Sequence, residues 1–367
     1  MRKHFKNYYT PNKEELKKLW QECIFCFDTS ALLDVYSYSS ATADKVIEAI
    51  EINNDRIWLP YHVGYEYQRN RPNRISDEIK SHSETIKKVE EIIADLEKQR
   101  HPFVNENTLK VIKTALEELD KRKNEHVALF KNDKYRDRLT DIFDGKVGDS
   151  FSEEELEGIY REGDSRFKKE IPPGYADKTK NTNKYGDLIV WKQIIKKAID
   201  EKKDIILVTS DNKEDWWNKH SGMTFGPRPE LLDEFQKETR QNIYLYKPPR
   251  FIELTEIKNS EKAIKEVERV QESRERATND DIKDFVTRYD FDKIINTTDP
   301  YDLNDLNDLN DLKKIIDLVD PSYDLKKIKD LVDPSYDLKK IKDIIDPYGL
   351  NDLKKIKDII DPYGLNK

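Results

Sequence analysis

Four short apolar runs, separated by stretches with helical spacing, limit the folds that this chain can adopt. The runs cover residues 24–27, 56–60, 204–209 and 242–246. The third run is unbroken and rich in β-branched residues, which is typical of a parallel strand buried on both faces of a sheet. Strands that alternate with helices predict an α/β fold built on a parallel sheet.

A long helical insertion, at about residues 76–170, is predicted between the second and third runs. Apolar residues recur there on two helical faces; they are Ile79, Ile86, Val89, Ile93 and Leu96 on the first, and Leu109, Ile112, Leu116 and Leu119 on the second. His101-Pro102 lies between them and is a natural break. We therefore predict an antiparallel helical hairpin. Its outer faces are dense in Lys and Glu and contribute to the 38% of charged residues in the chain.

The sequence changes character after about residue 258. Residues 259–300 predict a charged helical linker, and residues 301–367 contain four near-identical units of the type D-L-K-K-I-x-D-Φ-Φ-D-P, where Φ is apolar. A capping Asp and a terminating Asp-Pro make each unit a short amphipathic helix, and isolated helices below about 12 residues are marginal. The region is either an arm that docks on a partner or on a second copy of the chain, or an expanded low-complexity tail.

Composition excludes several classes of protein. No apolar run approaches the ~18 residues of a membrane span, and the first residues lack the apolar stretch of a signal peptide, so we expect a cytoplasmic protein without membrane contact. Cys23 and Cys26 are too few for a disulfide framework and predict strand core rather than a zinc site.

The net charge argues against a protein that binds nucleic acid through a broad basic face. The formal net charge is −8, and residues 259–367 contribute 20 basic and 26 acidic residues to it. Any polyanion site must therefore be local.

Two aspartates stand at the ends of predicted strands. Asp28 directly follows the first run, and Asp211 closely follows the third. Because ligand sites in open α/β sheets gather at the carboxyl ends of strands, these two side chains are expected to face each other there. Glu66 follows the second run in a helical turn, and Asp187 begins a predicted helix before the third. For each acid alone, a helix cap or a solvated surface residue is the simpler interpretation.

Four carboxylates in one cleft stay ionised together only when a cation joins them, because each raises the pKa of the next. Oxygen donors without Cys or His favour Mg²⁺ or Mn²⁺. One or two such ions suit hydrolysis of a phosphodiester bond. The acids therefore predict metal-dependent phosphoryl chemistry.

Six stretches around these acids resemble the PIN-domain nucleases, most closely the PIN-like branch with a long helical insertion. They are FDTSALLDVY from Phe27, IWLPYHVGYEYQRNR from Ile57, FDGKVGDSFSEEELEGIYREGDSRF from Phe143, IPPGYADK from Ile171, YGDLIVWKQI from Tyr185 and VTSDNKEDWW from Val208. The resemblance covers roughly residues 24–254. It implies a Rossmann-like, three-layer α/β/α fold with an inserted hairpin, which binds Mg²⁺ or Mn²⁺ and usually cuts RNA.

The resemblance also assigns roles to residues. The family's four acidic positions, which are catalytic and bind metal, are taken here by Asp28, Glu66, Asp187 and Asp211. Asp215 is a fifth candidate metal ligand. Ser30 stands where the family often has Asn, and its hydroxyl, with that of Thr209, is expected to donate hydrogen bonds to the metal-binding acids.

Contacts to substrate are expected beside the acids. The cations that can hold phosphates there are Arg69, Arg71 and Lys213. The rings that can stack on bases of single-stranded RNA are those of Tyr175, Trp216 and Trp217. Surface charge or ion pairing is the alternative for the cations, and core packing is the alternative for the rings. His62 is expected to pack or to hydrogen bond rather than to bind metal.

The leading hypothesis is a metal-dependent endoribonuclease that acts on single-stranded RNA, in the role of a toxin or an antiviral effector. One alternative is a catalytically silent PIN-like scaffold that works through the hairpin and the repeats, although all four acids are present. The other is a structure-specific DNA nuclease, because related folds cut DNA flaps.

Overall fold

A computed structural model describes most of the chain up to residue 273. The described ranges are 1, 4–9, 11–98, 105–180, 182–220 and 223–273. The predicted break at His101-Pro102, the predicted repeats and most of the predicted linker lie outside these ranges.

Six strands form two sheets in the described ranges. They are β1 (Ile24–Phe27), β2 (Ile57–Trp58), β3 (Ile205–Val208), β4 (Trp217–His220), β5 (Met223–Pro227) and β6 (Ile243–Tyr246). The main sheet has the order β2-β1-β3-β6, and every neighbouring pair in it is parallel. All residues of β1 and β3 are buried, as expected for central parallel strands. The four predicted strands and their parallel pairing are confirmed.

In the described part of the chain, helices α1 to α10 flank the main sheet, and a further helical segment follows them. The labelled helices are α1 (Lys13–Glu22), α2 (Thr29–Leu33), α3 (Ser40–Ile52), α4 (Tyr61–Glu97), α5 (Glu106–Leu129), α6 (Lys134–Phe143), α7 (Glu153–Lys168), α8 (Gly186–Glu201), α9 (Pro229–Thr239) and α10 (Pro248–Leu254). Alternate residues of a strand point to one face, and Phe25 and Phe27 meet the Phe251 ring of α10 at centroid distances of 5.5 and 5.3 Å. The helices and the sheet form the predicted three-layer α/β fold.

The antiparallel hairpin of β4 and β5 was not among the predicted strands. Its sequence has no continuous apolar run, and the Met223 and Phe225 side chains are exposed. A two-stranded ribbon with one solvent-exposed face has few apolar residues, so its sequence shows only a weak strand pattern.

The predicted helical hairpin is present, but its first helix begins earlier than expected. Helix α4 runs without a break for 37 residues and carries Glu66 near its start. Pro72 lies inside α4 and does not end it. The pairing of Lys113 with Glu97 at 2.7 Å places the end of α4 against the beginning of α5. The two helices are therefore antiparallel.

A buried network of polar side chains joins the helical insertion to the turn that follows α2. The Arg71 guanidinium donates to Asp133 Oδ2 at 2.5 Å, and the Tyr36 hydroxyl donates to the same oxygen at 2.9 Å. The Tyr67 hydroxyl lies 2.8 Å from that of Tyr36. Asp133 Oδ1 also caps α6 by accepting from Arg136 N. Arg71 therefore pairs with a buried acid, the alternative to a phosphate contact, while Arg69 is exposed.

The segment after residue 258 begins as part of the compact domain rather than as a linker. Residues 261–273 are helical, and Ala263 and Val267 are buried. Glu266 accepts hydrogen bonds from Ser39 N and Oγ and from Thr42 Oγ1. The compact unit accordingly includes the described residues 259–273.

Both cysteines are free thiols buried in the core, as predicted. Cys26 lies in β1 and Cys23 directly precedes that strand. Within the described part of the chain, no helix combines the length and the apolar character that a membrane crossing requires.

We expect Arg71→Ala to lower the free energy of unfolding by on the order of 3 kcal/mol, because it leaves the Asp133 carboxylate buried without its cation. Arg69→Ala, on the exposed side of the same helix, should change it by less than about 0.5 kcal/mol. Urea titration of both variants measures the difference. Equal stability of the two would show that the buried pair does not hold the insertion.

Candidate functional site

The four predicted acids meet at the carboxyl ends of the central strands. Asp28 directly follows β1, and its backbone N–H continues the ladder by donating to Val208 O at 2.9 Å. Asp211 follows β3, and Glu66 lies in the second turn of α4, which begins shortly after β2. Asp187 lies in the first turn of α8. The chain therefore returns an acid to this edge of the sheet from four separate elements.

Asp28 is held by two hydroxyl groups. Ser30 Oγ donates to Asp28 Oδ2 at 2.5 Å, and Thr209 Oγ1 donates to the same oxygen at 2.9 Å. These are the two donors predicted from the sequence. Burial raises the pKa of Asp28, although the hydrogen bond from Ser30 opposes the shift. The negative charges of Asp211 and Glu66 raise this pKa further.

The negative charge of Glu66 is stabilised by more neighbouring groups than that of Asp28. Thr29 Oγ1 donates to Glu66 Oε2 at 2.5 Å, the Asn183 amide donates to Oε1, and His62 Nε2 lies 3.4 Å from Oε1. Burial alone would raise the pKa of Glu66, but these hydrogen bonds hold it below its usual value. A side chain at Gly186 would place its Cβ 2.5 Å from Asn183 Nδ2 and 2.9 Å from Glu66 Oε1, so a larger residue there would displace the side chains that hold this corner of the site.

Lys213 places one ammonium group among three carboxylates. Its Nζ lies 2.9 Å from Asp211 Oδ2 and 3.0 Å from both Asp187 Oδ2 and Asp177 Oδ2. Burial would lower the pKa of Lys213, but the three carboxylates raise it well above its usual range. Burial raises the pKa of Asp187 to about 6; Lys213 opposes the shift, and Asp211 adds to it.

The donor set fits a hard divalent cation. Within the described residues, five carboxylates share this region with the Lys213 ammonium, and one of them, Asp177, also pairs with Lys180 at 2.8 Å. The five are Asp28, Glu66, Asp177, Asp187 and Asp211. An ammonium group held by three carboxylates marks a position where positive charge is required. Oxygen donors of this kind select Mg²⁺ or Mn²⁺ over softer metals.

Asp215, the predicted fifth ligand, is buried behind the cluster and binds backbone. Its Oδ2 accepts from Gly174 N at 2.8 Å and Ala176 N at 3.2 Å, and its Oδ1 has no hydrogen-bond partner in the described structure. Burial and the neighbouring Asp187 charge raise the pKa of Asp215 to about 6. Its observed role is to hold the loop that follows Pro173, where Gly174 has a φ of 95°.

The three aromatic rings predicted to stack on bases lie in the core instead. Tyr175, Trp216 and Trp217 are each at most 6% exposed. Their polar atoms are engaged, since Arg228 donates to Tyr175 Oη at 2.7 Å and Trp217 Nε1 donates to Asp211 O at 2.6 Å. Core packing, the alternative drawn from the sequence, describes all three rings.

A protein-family model described as PIN like domain matches residues 24–231, which is more than half of the chain. The chain belongs to the PIN-like domain family. No curated protein and no solved structure matches it. PIN-like domains are typically metal-dependent nucleases, and the acidic edge of the sheet in this PIN-like domain lies within the matched residues.

Three side chains of this PIN-like site were not among the residues predicted from the sequence. Thr29 and Asn183 hold Glu66, and Asp177 binds Lys213. Asp177 lies in the IPPGYADK stretch, far from any strand end in sequence, so strand-end reasoning did not select it. Thr29 is adjacent to Asp28, and its position at the start of α2 was the available signal.

The raised pKa of Asp187 gives a prediction about stability. Between about pH 4 and pH 6 the folded protein keeps a proton on this carboxyl that the unfolded chain releases, so the stability contribution falls as the pH rises through that window. In EDTA at pH 7.5, Asp187→Asn should therefore raise the free energy of unfolding by on the order of 1 kcal/mol.

The gain should disappear at pH 4, where Asp187 itself is protonated. Asp200→Asn, on the exposed face of the same helix, is the matched control and should be neutral at both pH values. Urea unfolding at the two pH values makes the comparison. A destabilising Asp187→Asn at pH 7.5 would contradict the direction of the pKa shift.

Proposed function

We propose that this PIN-like domain is a divalent-cation-dependent endonuclease that cleaves single-stranded RNA. The observation that carries the proposal is the lysine ammonium bound by Asp177, Asp187 and Asp211 at the carboxyl ends of the strands. A purely structural cluster would balance its charges, whereas this one keeps an excess of carboxylates beside Asp28. The choice of RNA comes from the resemblance to the family, and a toxin or antiviral role stays a prediction.

Asp28, Glu66, Asp187 and Asp211 would hold the cation. Bound there, Mg²⁺ or Mn²⁺ supplies positive charge for the reacting phosphate and makes a nearby water more acidic. The protein's own contribution is orientation, because Asp28 is fixed by two hydroxyls and Glu66 by a hydroxyl and an amide. Side chains held in this way lose little freedom when substrate binds.

Lys213 and Arg69 are the proposed contacts to the RNA backbone. Lys213 has a flexible stem, and its ammonium lies beside Asp187 and Asp211, where a phosphate must approach. Arg69 is exposed and lies one turn after Glu66 on α4. Contacts of this kind position the strand without reading its bases.

Asp28→Asn should abolish Mn²⁺-dependent cleavage of single-stranded RNA, by at least about 100-fold, while leaving the fold intact, because it removes a ligand charge. Asp55→Asn is the matched control, since Asp55 is exposed and precedes β2 at its amino end, opposite the carboxyl ends that carry the acids. The assay follows cleavage of a labelled RNA with Mn²⁺ and with EDTA, and circular dichroism checks folding. Full activity in Asp28→Asn would refute the site.

The same assay with DNA separates the alternatives. Matched single-stranded DNA and a DNA flap should be cut more slowly than RNA, and faster cutting of the flap would favour the structure-specific DNA nuclease. Absence of Mn²⁺ binding by calorimetry together with absence of cleavage would favour the scaffold.

Lys213→Gln should separate cation binding from catalysis. Removal of the competing ammonium should tighten Mn²⁺ binding by about tenfold, which corresponds to about 1.4 kcal/mol. At saturating Mn²⁺, kcat should fall, because a phosphate contact is lost. The exposed Lys203→Gln is the control. Tighter Mn²⁺ binding with unchanged kcat would show that Lys213 only fills the site.

A further inference from the structure

A second group of metal-ligand side chains lies on the helical hairpin, away from the acidic edge. Glu78 and His82 are one turn apart on α4, and His126 faces them from α5. One candidate ligand atom from each lies within 4.8 Å of the other two, and all three residues are half-buried. Glu78 follows Glu66 by twelve residues on one helix, a separation of about 18 Å at 1.5 Å per residue.

We propose that Glu78, His82 and His126 form a zinc site that joins the two helices of the hairpin. Two imidazole nitrogens and one carboxylate oxygen are a ligand set that Zn²⁺ accepts, with a water in the fourth position. The acidic edge offers only oxygen donors and suits Mg²⁺ or Mn²⁺. The two sites therefore differ in the metal that they select, and this one does not depend on the proposed nuclease activity.

Backbone carbonyls contact both ring nitrogens of His126 and fix the position of its ring. Its Nδ1 lies 2.9 Å from Arg122 O, and its Nε2 lies 2.7 Å from Tyr36 O. A neutral imidazole has a single N–H, so it can donate to only one of these carbonyls. In metal-binding histidines one nitrogen donates to a backbone carbonyl and the other binds the metal, so zinc binding requires that one of the two carbonyl contacts of His126 gives way while the other is kept. The His82 ring is near, at 5.1 Å between ring centroids.

The contacts of Glu78 fix one of its oxygens and leave the other for a ligand bond. Ser37 Oγ donates to Glu78 Oε1 at 2.6 Å, and Arg74 Nε lies 3.6 Å from the same atom. The positive charges nearby are balanced locally, since Arg74 also contacts Asp34 and Arg122 contacts Glu118. A zinc ion would thus add charge beside a carboxylate and two imidazoles rather than beside an unpaired cation.

Zinc at this position would connect the helical hairpin to a turn of the sheet domain. Ser37 and the Tyr36 carbonyl belong to the turn Asp34–Ser37, which directly follows α2. Through these contacts the ion would hold α4, α5 and that turn together. The expected consequence is higher stability of the zinc-loaded protein.

The test is zinc binding by the full chain after removal of metal with EDTA. Calorimetry in saturating Mg²⁺ should find one Zn²⁺ per chain, and Co²⁺ should give visible absorption from nitrogen coordination. To keep zinc off the acidic edge, all proteins carry Asp28→Asn and Asp187→Asn. In this background His82→Ala should weaken Zn²⁺ binding by more than about tenfold, whereas the exposed His220→Ala should not.

Zn²⁺ should raise the melting temperature of the background protein and of His220→Ala, and should leave that of His82→Ala unchanged. If His82→Ala does not fold, Glu78→Gln serves instead, because Gln can keep the contact with Ser37. Equal Zn²⁺ affinity in the background protein and the ligand variants, or no binding at all, would overturn the proposal. Mg²⁺-dependent RNA cleavage measured separately in His82→Ala with Asp28 and Asp187 intact should persist, so the two proposals fail independently.

Discussion

Repulsion between carboxylates at the carboxyl ends of β1 and β3 is the constraint on which the rest of this structure depends. The sheet brings Asp28 and Asp211 together, and the starts of α4 and α8 add Glu66 and Asp187. Burial makes the repulsion stronger, because the charges have left water. Each neighbouring feature of the site, from the hydroxyls on Asp28 to the ammonium of Lys213, reduces this cost.

Neighbouring groups stabilise the charges of the four acids to different extents, and this difference indicates what each acid can do. Glu66 is surrounded by donors and keeps a lowered pKa, so it is a charged anchor. Asp28 and Asp187 keep raised pKa values despite their partners. A cluster of carboxylates with raised pKa values is stabilised when further positive charge binds beside it. This is the physical basis for assigning cation chemistry to the site rather than a structural role.

Helix α4 connects the site to the rest of the molecule. It starts beside Glu66, passes the buried pair of Arg71 and Asp133, and continues to the cluster of Glu78 and His82. A single rigid helix therefore carries a catalytic candidate, a structural ion pair and a second candidate metal site. The insertion is in this way part of the scaffold that positions the acids.

The sequence by itself determined the parallel sheet and the meeting of the four acids. Short apolar runs that alternate with helical stretches predict buried parallel strands, and acids that follow parallel strands share one edge of the sheet. Only the tertiary structure decided which partners the side chains choose. Asp177 joins the site from a distant loop, Asp215 binds backbone, and the Tyr175 ring lies in the core. These contacts join segments that are remote in sequence. The periodicity of apolar residues within one segment does not give the distance between two segments, so it cannot predict such contacts.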